Sequence, residues 1–259
     1  MDKILQLLLS FERENIDLAE TLGISQGIDI PRLLETVGLH QFGLATVGNF
    51  VDFELELNCS GRFIENLNPL LLIPRLEEII AANNKISQLI PLDRFERLRG
   101  INLSKNKISD ISLLNTGHSL EYAHFSHNKI SQIPNLNNLK GLKYLGLNDN
   151  QIQDISPLGV FSKQLAVLYL ENNQIADISV LAGFEQLETL YIHNNPITDF
   201  SPIAKLERLQ TLNIGKTLVD DFSFLFGLKN LKICFVPQKN LSVDWRRRLK
   251  QALPDCKFY

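Results

Sequence analysis

Leu142-Lys143-Tyr144-Leu145-Gly146-Leu147-Asn148-Asp149-Asn150-Gln151-Ile152 is the stretch that decides how this chain folds. Leucines hold its first, fourth and sixth positions, an asparagine the ninth and an isoleucine the eleventh. Toward the N-terminus the same register gives Leu120, Ala123, Phe125, Asn128 and Ile130. Before those come Leu98, Ile101, Leu103, Asn106 and Ile108, and then Leu76, Ile79, Ala81, Asn84 and Ile86. Toward the C-terminus it gives Leu165, Leu168, Leu170, Asn173 and Ile175, followed by Leu187, Leu190, Ile192, Asn195 and Ile197. Leu209, Leu212, Ile214, Thr217 and Val219 follow, with threonine in place of the asparagine, and a degenerate copy keeps Leu231, Cys234 and Val236. The period is 22 residues, apart from one step of 23 between Leu142 and Leu165.

Alternation at the fourth and sixth positions marks a short strand with one buried face. A single copy cannot bury its own leucines, whereas stacked copies pair their strands into one parallel sheet and share a continuous core. The asparagine falls where the chain turns out of the strand. Its amide donates and accepts at once, so it can satisfy backbone groups of the turn. A ladder from Asn84 to Asn195 is expected, with Thr217 ending it. Asp110-Ile111-Ser112, Asp154-Ile155-Ser156-Pro157-Leu158, Asp177-Ile178-Ser179-Val180-Leu181 and Asp199-Phe200-Ser201-Pro202-Ile203 pattern the return half. That half is too short for a long helix, so a 3-10 turn is the economical solution, with serine capping it and proline at its first helical position.

The L-x-x-L-x-L-x-x-N-x-L spacing with the D-I-S-x-L return resembles the leucine-rich-repeat family. Within it, the 22-residue copies resemble those of bacterial internalins and of the leucine-rich regulatory subunit of type-1 protein phosphatase. The resemblance covers residues 50–259. It implies an α/β fold: a right-handed solenoid, or horseshoe, with a parallel concave sheet that binds proteins, 3-10 turns on the convex side, and helical caps. The expected division is a helical N-terminal cap over 1–52, repeats over 53–240, and a C-terminal cap helix and strand over 241–259.

In the N-terminal segment Ile4, Leu5, Leu8 and Leu9, and then Ile16, Leu18 and Leu22, read as amphipathic helices. Pro31 opens another helix over Arg32 to Val37, which Gly38 stops. Phe53 to Leu57 reads as a first, atypical strand. Such helices cover the open leucines of a terminal rung; a separate helical interaction domain is the other reading. At the C-terminus Ser242 caps a helix carrying Trp245, Leu249, Ala252 and Leu253 on one face. Pro254 ends it, and Cys256-Lys257-Phe258 adds a strand. Arg246, Arg247, Arg248 and Lys250 read as a solvated helical face rather than a phosphate contact. Cys256 reads as a buried small hydrophobe and Cys59 as an accessible thiol.

The 259 residues are 44% hydrophobic and 21% charged, with a net charge of −3. That balance implies no bulk attraction to nucleic acid or membrane. Three cysteines fit a reducing compartment better than a disulfide framework. No stretch is long and apolar enough to span a bilayer. Ile4 to Leu9 is too short for a signal core, and Glu12, Arg13 and Glu14 interrupt it. Internalins are exported and anchored, and this chain is expected to carry neither a signal nor an anchor. The expectation is a cytoplasmic protein, or one secreted into a host cell by a signal-free route.

Function is expected on the outward third, fifth and seventh positions. Tyr122 and Tyr144 share the third column on adjacent rungs, and Tyr169 and Tyr191 share the fifth, which makes one diagonal stripe flanked by His124, Asp149, Glu171 and His193. Exposed aromatic patches and tyrosine-rich interfaces favour partner binding, while rings stacked along a sheet also stabilise it. Lys85, Lys107 and Lys129 form a tenth-position column, read either as solvated side chains or as contacts for partner carboxylates. His124 and His193 lie three rungs apart, about 14 Å at ~4.8 Å per rung, too far to share a zinc ion with bonds of about 2.0–2.1 Å. Glu171 and His193 are close enough to pair, but no nucleophile is evident beside them.

The resulting expectation is a non-catalytic, monomeric protein-binding scaffold, acting as a bacterial effector or an intracellular adaptor, with no cofactor. A self-associating architectural protein and a metal-dependent hydrolase are the alternatives.

Overall fold

A computed structural model of the chain describes residues 3–10, 16–19, 22, 26, 29–44 and 56–259. Among these, ten short strands form one parallel sheet in sequence order. They are β1 (Glu56–Asn58), β2 (Glu78–Ile80), β3 (Gly100–Asn102), β4 (Tyr122–His124), β5 (Tyr144–Gly146), β6 (Val167–Tyr169), β7 (Thr189–Tyr191), β8 (Thr211–Asn213), β9 (Ile233–Phe235) and β10 (Lys257–Phe258). The expected register holds: Tyr122 pairs with Tyr144, Tyr144 with Val167, and Tyr169 with Tyr191. Side chains 22 residues apart are therefore neighbours along most of the sheet.

Between strands the chain returns through 3-10 turns, such as Ser112–Thr116, Ser179–Gly183, Ser201–Lys205 and Ser223–Gly227. Strands pack about 4.8 Å apart, closer than the bulkier turns can, so the stack curves with the sheet on its concave side: a right-handed solenoid. The 23-residue step is absorbed on the convex side, where Ser156–Phe161 makes a six-residue turn and the strand register is undisturbed. Aspartate, rather than the expected serine, caps these turns. The Ser156, Ser179, Ser201 and Ser223 N–H groups donate to Asp154, Asp177, Asp199 and Asp221, each at 2.8 Å. The serine hydroxyls bond the same carboxylates at Asp177, Asp199 and Asp221, and these bonds hold the three below the usual aspartate range. An aspartate reaches a backbone N–H two residues on with little strain, which leaves the serine free to add its own hydroxyl. Pro157 and Pro202 do sit at the start of their turns.

One file of buried side chains runs through the stack. Leu145, Leu147, Leu168, Leu170, Leu190 and Ile192 are 0% exposed, and each such side chain stabilises the fold by roughly 1.5–3 kcal/mol. In the β4 rung the small Ala123 is offset by the large Phe125, and both are fully buried. The asparagine ladder is present, and it ties neighbouring rungs together rather than only closing its own turn. Asn150 Oδ1 accepts from Ile130 N–H at 3.0 Å, while its Nδ2 donates to Phe125 O and Leu147 O, each at 3.0 Å. Asn84, Asn106, Asn128, Asn173 and Asn195 repeat this geometry. Thr217 donates only to Ile214 O, at 2.6 Å.

The solenoid begins one rung before Leu76. Leu57 pairs with Ile79, and Cys59 occupies the sixth position. Cys59 is thus 0% exposed, not accessible, and burial pushes its thiol up to about 12. Arg62 stands where later rungs carry asparagine, which makes this rung atypical; its N–H donates to Asn84 Oδ1 at 2.9 Å.

Helix α1 (Lys3–Leu8) buries Ile4, Leu5 and Leu8. Helix α2 (Ile30–Thr36) is capped by Asp29, which accepts from the Arg32 N–H, and the left-handed Gly38 follows it. A Cβ on Gly38 would fall 2.8 Å from Pro69, so that glycine permits the close approach of the cap to the stack. Residues 16–19 are helical with Ile16 and Ala19 buried, but Leu18 is 45% exposed, so it does not share their face as expected. Glu12–Glu14 and Phe53–Leu55 lie outside the described residues. At the other end helix α3 (Val243–Ala252) is capped by Ser242 Oγ, which accepts from Trp245 N–H at 3.2 Å, and it buries Leu249. Its basic run is dispersed. Arg246 donates to Gln238, Arg247 to Asp244 and Lys250 to Pro254 O, while Arg248 lies 4.1 Å over the Trp245 ring. Among the described residues no helix is long and apolar enough to cross a membrane.

Candidate functional site: the concave sheet

Strand pairing brings the four stripe tyrosines into direct contact. Tyr122 and Tyr144 stack with ring centroids 4.4 Å apart and planes 24° apart. Tyr144 meets Tyr169 edge to face at 5.4 Å, and Tyr169 meets Tyr191 at 4.9 Å. All four are half-buried, with each ring covering part of the next. Burial, the largest cause, together with neighbouring rings raises the Tyr122, Tyr144 and Tyr169 hydroxyls above the ordinary phenol range. They remain neutral donors and acceptors at physiological pH.

Gly146 makes room for this cluster. It sits between His124 and Tyr169 in the fifth column. A Cβ there would stand 2.5 Å from His124 Cδ2, so the imidazole leans over the glycine. His124 Nδ1 lies 3.0 Å from the Tyr122 hydroxyl. Burial, and secondarily His127, pushes the His124 pKa below the usual imidazole value.

Beside the lower tyrosines stand Glu171 and His193, at the seventh position of adjacent rungs. They are not hydrogen-bonded to each other. Glu171 Oε2 and His193 Nδ1 are enclosed without a partner. Burial first, then Asp149, pushes Glu171 up to about 7. Burial first, then Lys216, pushes His193 down. At neutral pH the imidazole is uncharged and the carboxyl is poised between its two forms.

Asp149 is not on the sheet. It lies at the eighth position, in a left-handed turn shared by Asn83, Lys105, His127, Asp149, Asn172, Asn194 and Lys216, with φ from 53° to 56°. There it accepts from Asn148 at 2.7 Å and Asn172 at 2.8 Å and lies 3.4 Å from His127 Nε2. Asn194 donates on to Asn172 at 2.8 Å. This second polar ladder was missed in the sequence, although a column rich in asparagine and aspartate is what a left-handed position favours.

Lys107 and Lys129 are exposed on the tenth-position column, beyond that turn. Lys107 borders a groove with Ser87, Asp110 and Ser112 on the way to the convex side. Lys85 lies 3.7 Å from Glu65 and 5.5 Å over the Phe63 ring. The lysine column and the tyrosine stripe are thus separate surfaces. Among the described residues no group of three or more histidine, cysteine, aspartate or glutamate side chains is placed to hold a metal ion.

A parallel sheet built from 22-residue copies, with an asparagine ladder and 3-10 returns, defines a leucine-rich-repeat solenoid. The family pattern described as Leucine Rich repeats (2 copies) matches residues 118–160 and 163–205. The chain resembles internalins. Internalin C2 of Listeria monocytogenes superposes with a TM-score of 0.69 at 26% identity, over 80% of this chain and 92% of that one. The internalin inlF of the same species gives 0.65 at 27% identity, over 78% of this chain and 65% of its own. A leucine-rich-repeat protein of Leptospira interrogans shares the fold, with a TM-score of 0.62 at 20% identity, over 79% of this chain and 59% of its own. No curated protein sequence matches the chain. Leucine-rich-repeat folds of this kind suggest protein-interaction scaffolds.

Proposed function

We propose that this chain is a non-catalytic scaffold that grips a protein partner on its concave sheet, as a bacterial effector or an intracellular adaptor. The observation that carries this is the contiguous stripe of Tyr122, Tyr144, Tyr169 and Tyr191, in ring-to-ring contact yet still half open on the face of the sheet. Tyrosine buries a large area on binding with little loss of conformational freedom. His124, Glu171 and His193 give the stripe a polar border, with Asp149 at its margin. The same ring contacts stabilise the sheet by about 0.2–1 kcal/mol per pair, so a purely structural stripe is the competing account.

The two separate in the variant Tyr144→Ala with Tyr169→Ala. Partner capture by the immobilised chain, followed by mass spectrometry, should drop sharply for the variant while its thermal midpoint stays close to the parent's. A collapse of the melt, or capture of the same proteins as the parent, would overturn the reading.

A further inference from the structure

Charge is sorted across this solenoid. From β1 to β9 the outward third, fifth and seventh positions carry Glu56, Glu78 and Glu171 and no lysine or arginine. Five lysines lie off the sheet, at the eighth position (Lys105, Lys216) and the tenth (Lys85, Lys107, Lys129); Lys143 and Lys232 stand just before their strands, and Lys257 is on the terminal strand β10 beside Ile233. His124 and His193, the histidines on the sheet, are held toward neutrality by burial and add little positive charge.

Two of the three glutamates flank Tyr122, Tyr144 and Tyr169, with Tyr191 one rung beyond Glu171. Glu78 leans across Gly100, where a Cβ would lie 3.1 Å from its Cγ, and its field reaches Tyr122. Glu171 acts on Tyr144 and Tyr169 at the other end. Aromatic faces attract cations, and a guanidinium offers only donors. The orphaned acceptor here, Glu171 Oε2, calls for a donor, and His193 Nδ1 beside it is also without a partner. Turning the Glu171 carboxylate outward to meet one breaks no hydrogen bond at Oε2.

We propose that the concave face receives a basic segment of a protein partner, with one arginine or lysine seated at Glu78, a second at Glu171, and the stretch between them lying on the tyrosine stripe. This rests on the scaffold reading above. Glu78 and Glu171 are four rungs apart, about 19 Å at ~4.8 Å per rung, and four positions apart along the strand direction, about 13 Å at ~3.3 Å each, which makes about 23 Å on the diagonal. An extended chain spans that in about seven residue steps at ~3.3 Å each. The same acidic face repels nucleic acid and anionic lipid, so the partner is a basic polypeptide.

The test uses the full chain with 13C-labelled tyrosine rings and three capped octapeptides. Each has alanine and serine between two terminal positions that are both arginine, both citrulline or both glutamate. The arginine peptide should shift the ring signals of Tyr122, Tyr144 and Tyr169. The citrulline peptide, equal in shape but uncharged, and the glutamate peptide should not. Glu78→Gln and Glu171→Gln should each weaken the arginine peptide by about fivefold, near the upper range for a single solvated ion pair, and salt at about 0.5 M should suppress binding. Ring signals unmoved by millimolar arginine peptide, equal shifts from the citrulline peptide, or indifference to both glutamine variants would each overturn the proposal. The tyrosine double variant keeps the two ideas apart. If it loses the captured partner while both glutamine variants keep it, the basic-segment proposal fails and the scaffold reading stands.

Discussion

Removing one asparagine of the ladder should cost more than its single side chain suggests. Asn128 is 9% exposed and makes four bonds. Its Oδ1 accepts from Ile108 N–H at 2.9 Å, and its Nδ2 donates to Leu103 O at 2.9 Å, Phe125 O at 3.0 Å and Ser126 O at 3.3 Å. In Asn128→Ala the three carbonyls each keep another donor: Asn106 Nδ2, Asn150 Nδ2 and the Lys105 N–H, respectively. The Ile108 N–H keeps none. An orphaned buried donor costs about 1–3 kcal/mol, and the two well-made donations add about 0.5–1.5 kcal/mol each. The expected loss is about 2–6 kcal/mol. Urea unfolding followed by far-UV circular dichroism measures it, with slope and midpoint both reported because solenoids can lose cooperativity. Lys129→Ala, the exposed neighbour, is the control and should stay within about 0.5 kcal/mol. Hydrogen exchange at the Ile108 amide should quicken only in the asparagine variant. A loss below about 0.5 kcal/mol with Ile108 still protected would refute the ladder as a link between rungs.

Three further outcomes are expected. Thr217→Asn should stabilise the chain by about 1 kcal/mol, because threonine supplies no side-chain acceptor for Ile197 N–H and bonds only Ile214 O; an unchanged urea midpoint would count against it. Glu171 titrates near 4.5 when unfolded and near about 7 when folded. Between those values the folded state holds the extra proton, so the group's contribution to stability falls as pH rises through that window and is level above it. Glu171→Gln should remove that slope and be the more stable protein at pH 8, and equal slopes for parent and variant would reject the assignment. Light scattering over a concentration series should give one monomer mass, whereas a mass rising with concentration would favour the self-associating alternative.

The repeat spacing made the rungs, the sheet register and the tyrosine neighbours legible, because a period of 22 leaves one consistent stacking. Features carried by single positions were not. The first rung reads only as an atypical strand because Arg62 replaces the asparagine, and Cys59 was misplaced because it stands where most later rungs carry larger apolar side chains. The serine caps were assigned to the wrong residue because Asp154 and Ser156 are both capping types, and only geometry shows which one accepts. Glu171 and His193 are one rung apart as expected, yet their polar atoms do not meet. Asp149 was read as a flank of the stripe, whereas its left-handed backbone turns it to the margin among His127, Asn148 and Asn172.

The six-residue turn Ser156–Phe161 shows where this architecture tolerates a change of length. One added residue there leaves the pairing of Leu145 with Leu168 intact. An extra residue within a strand would instead rotate every following side chain to the opposite surface. Lengthening is thus harmless on the outer rim and ruinous on the inner one. A short tag or a fluorophore spliced in after Phe161 should travel on the back of the solenoid without obstructing what docks on its front.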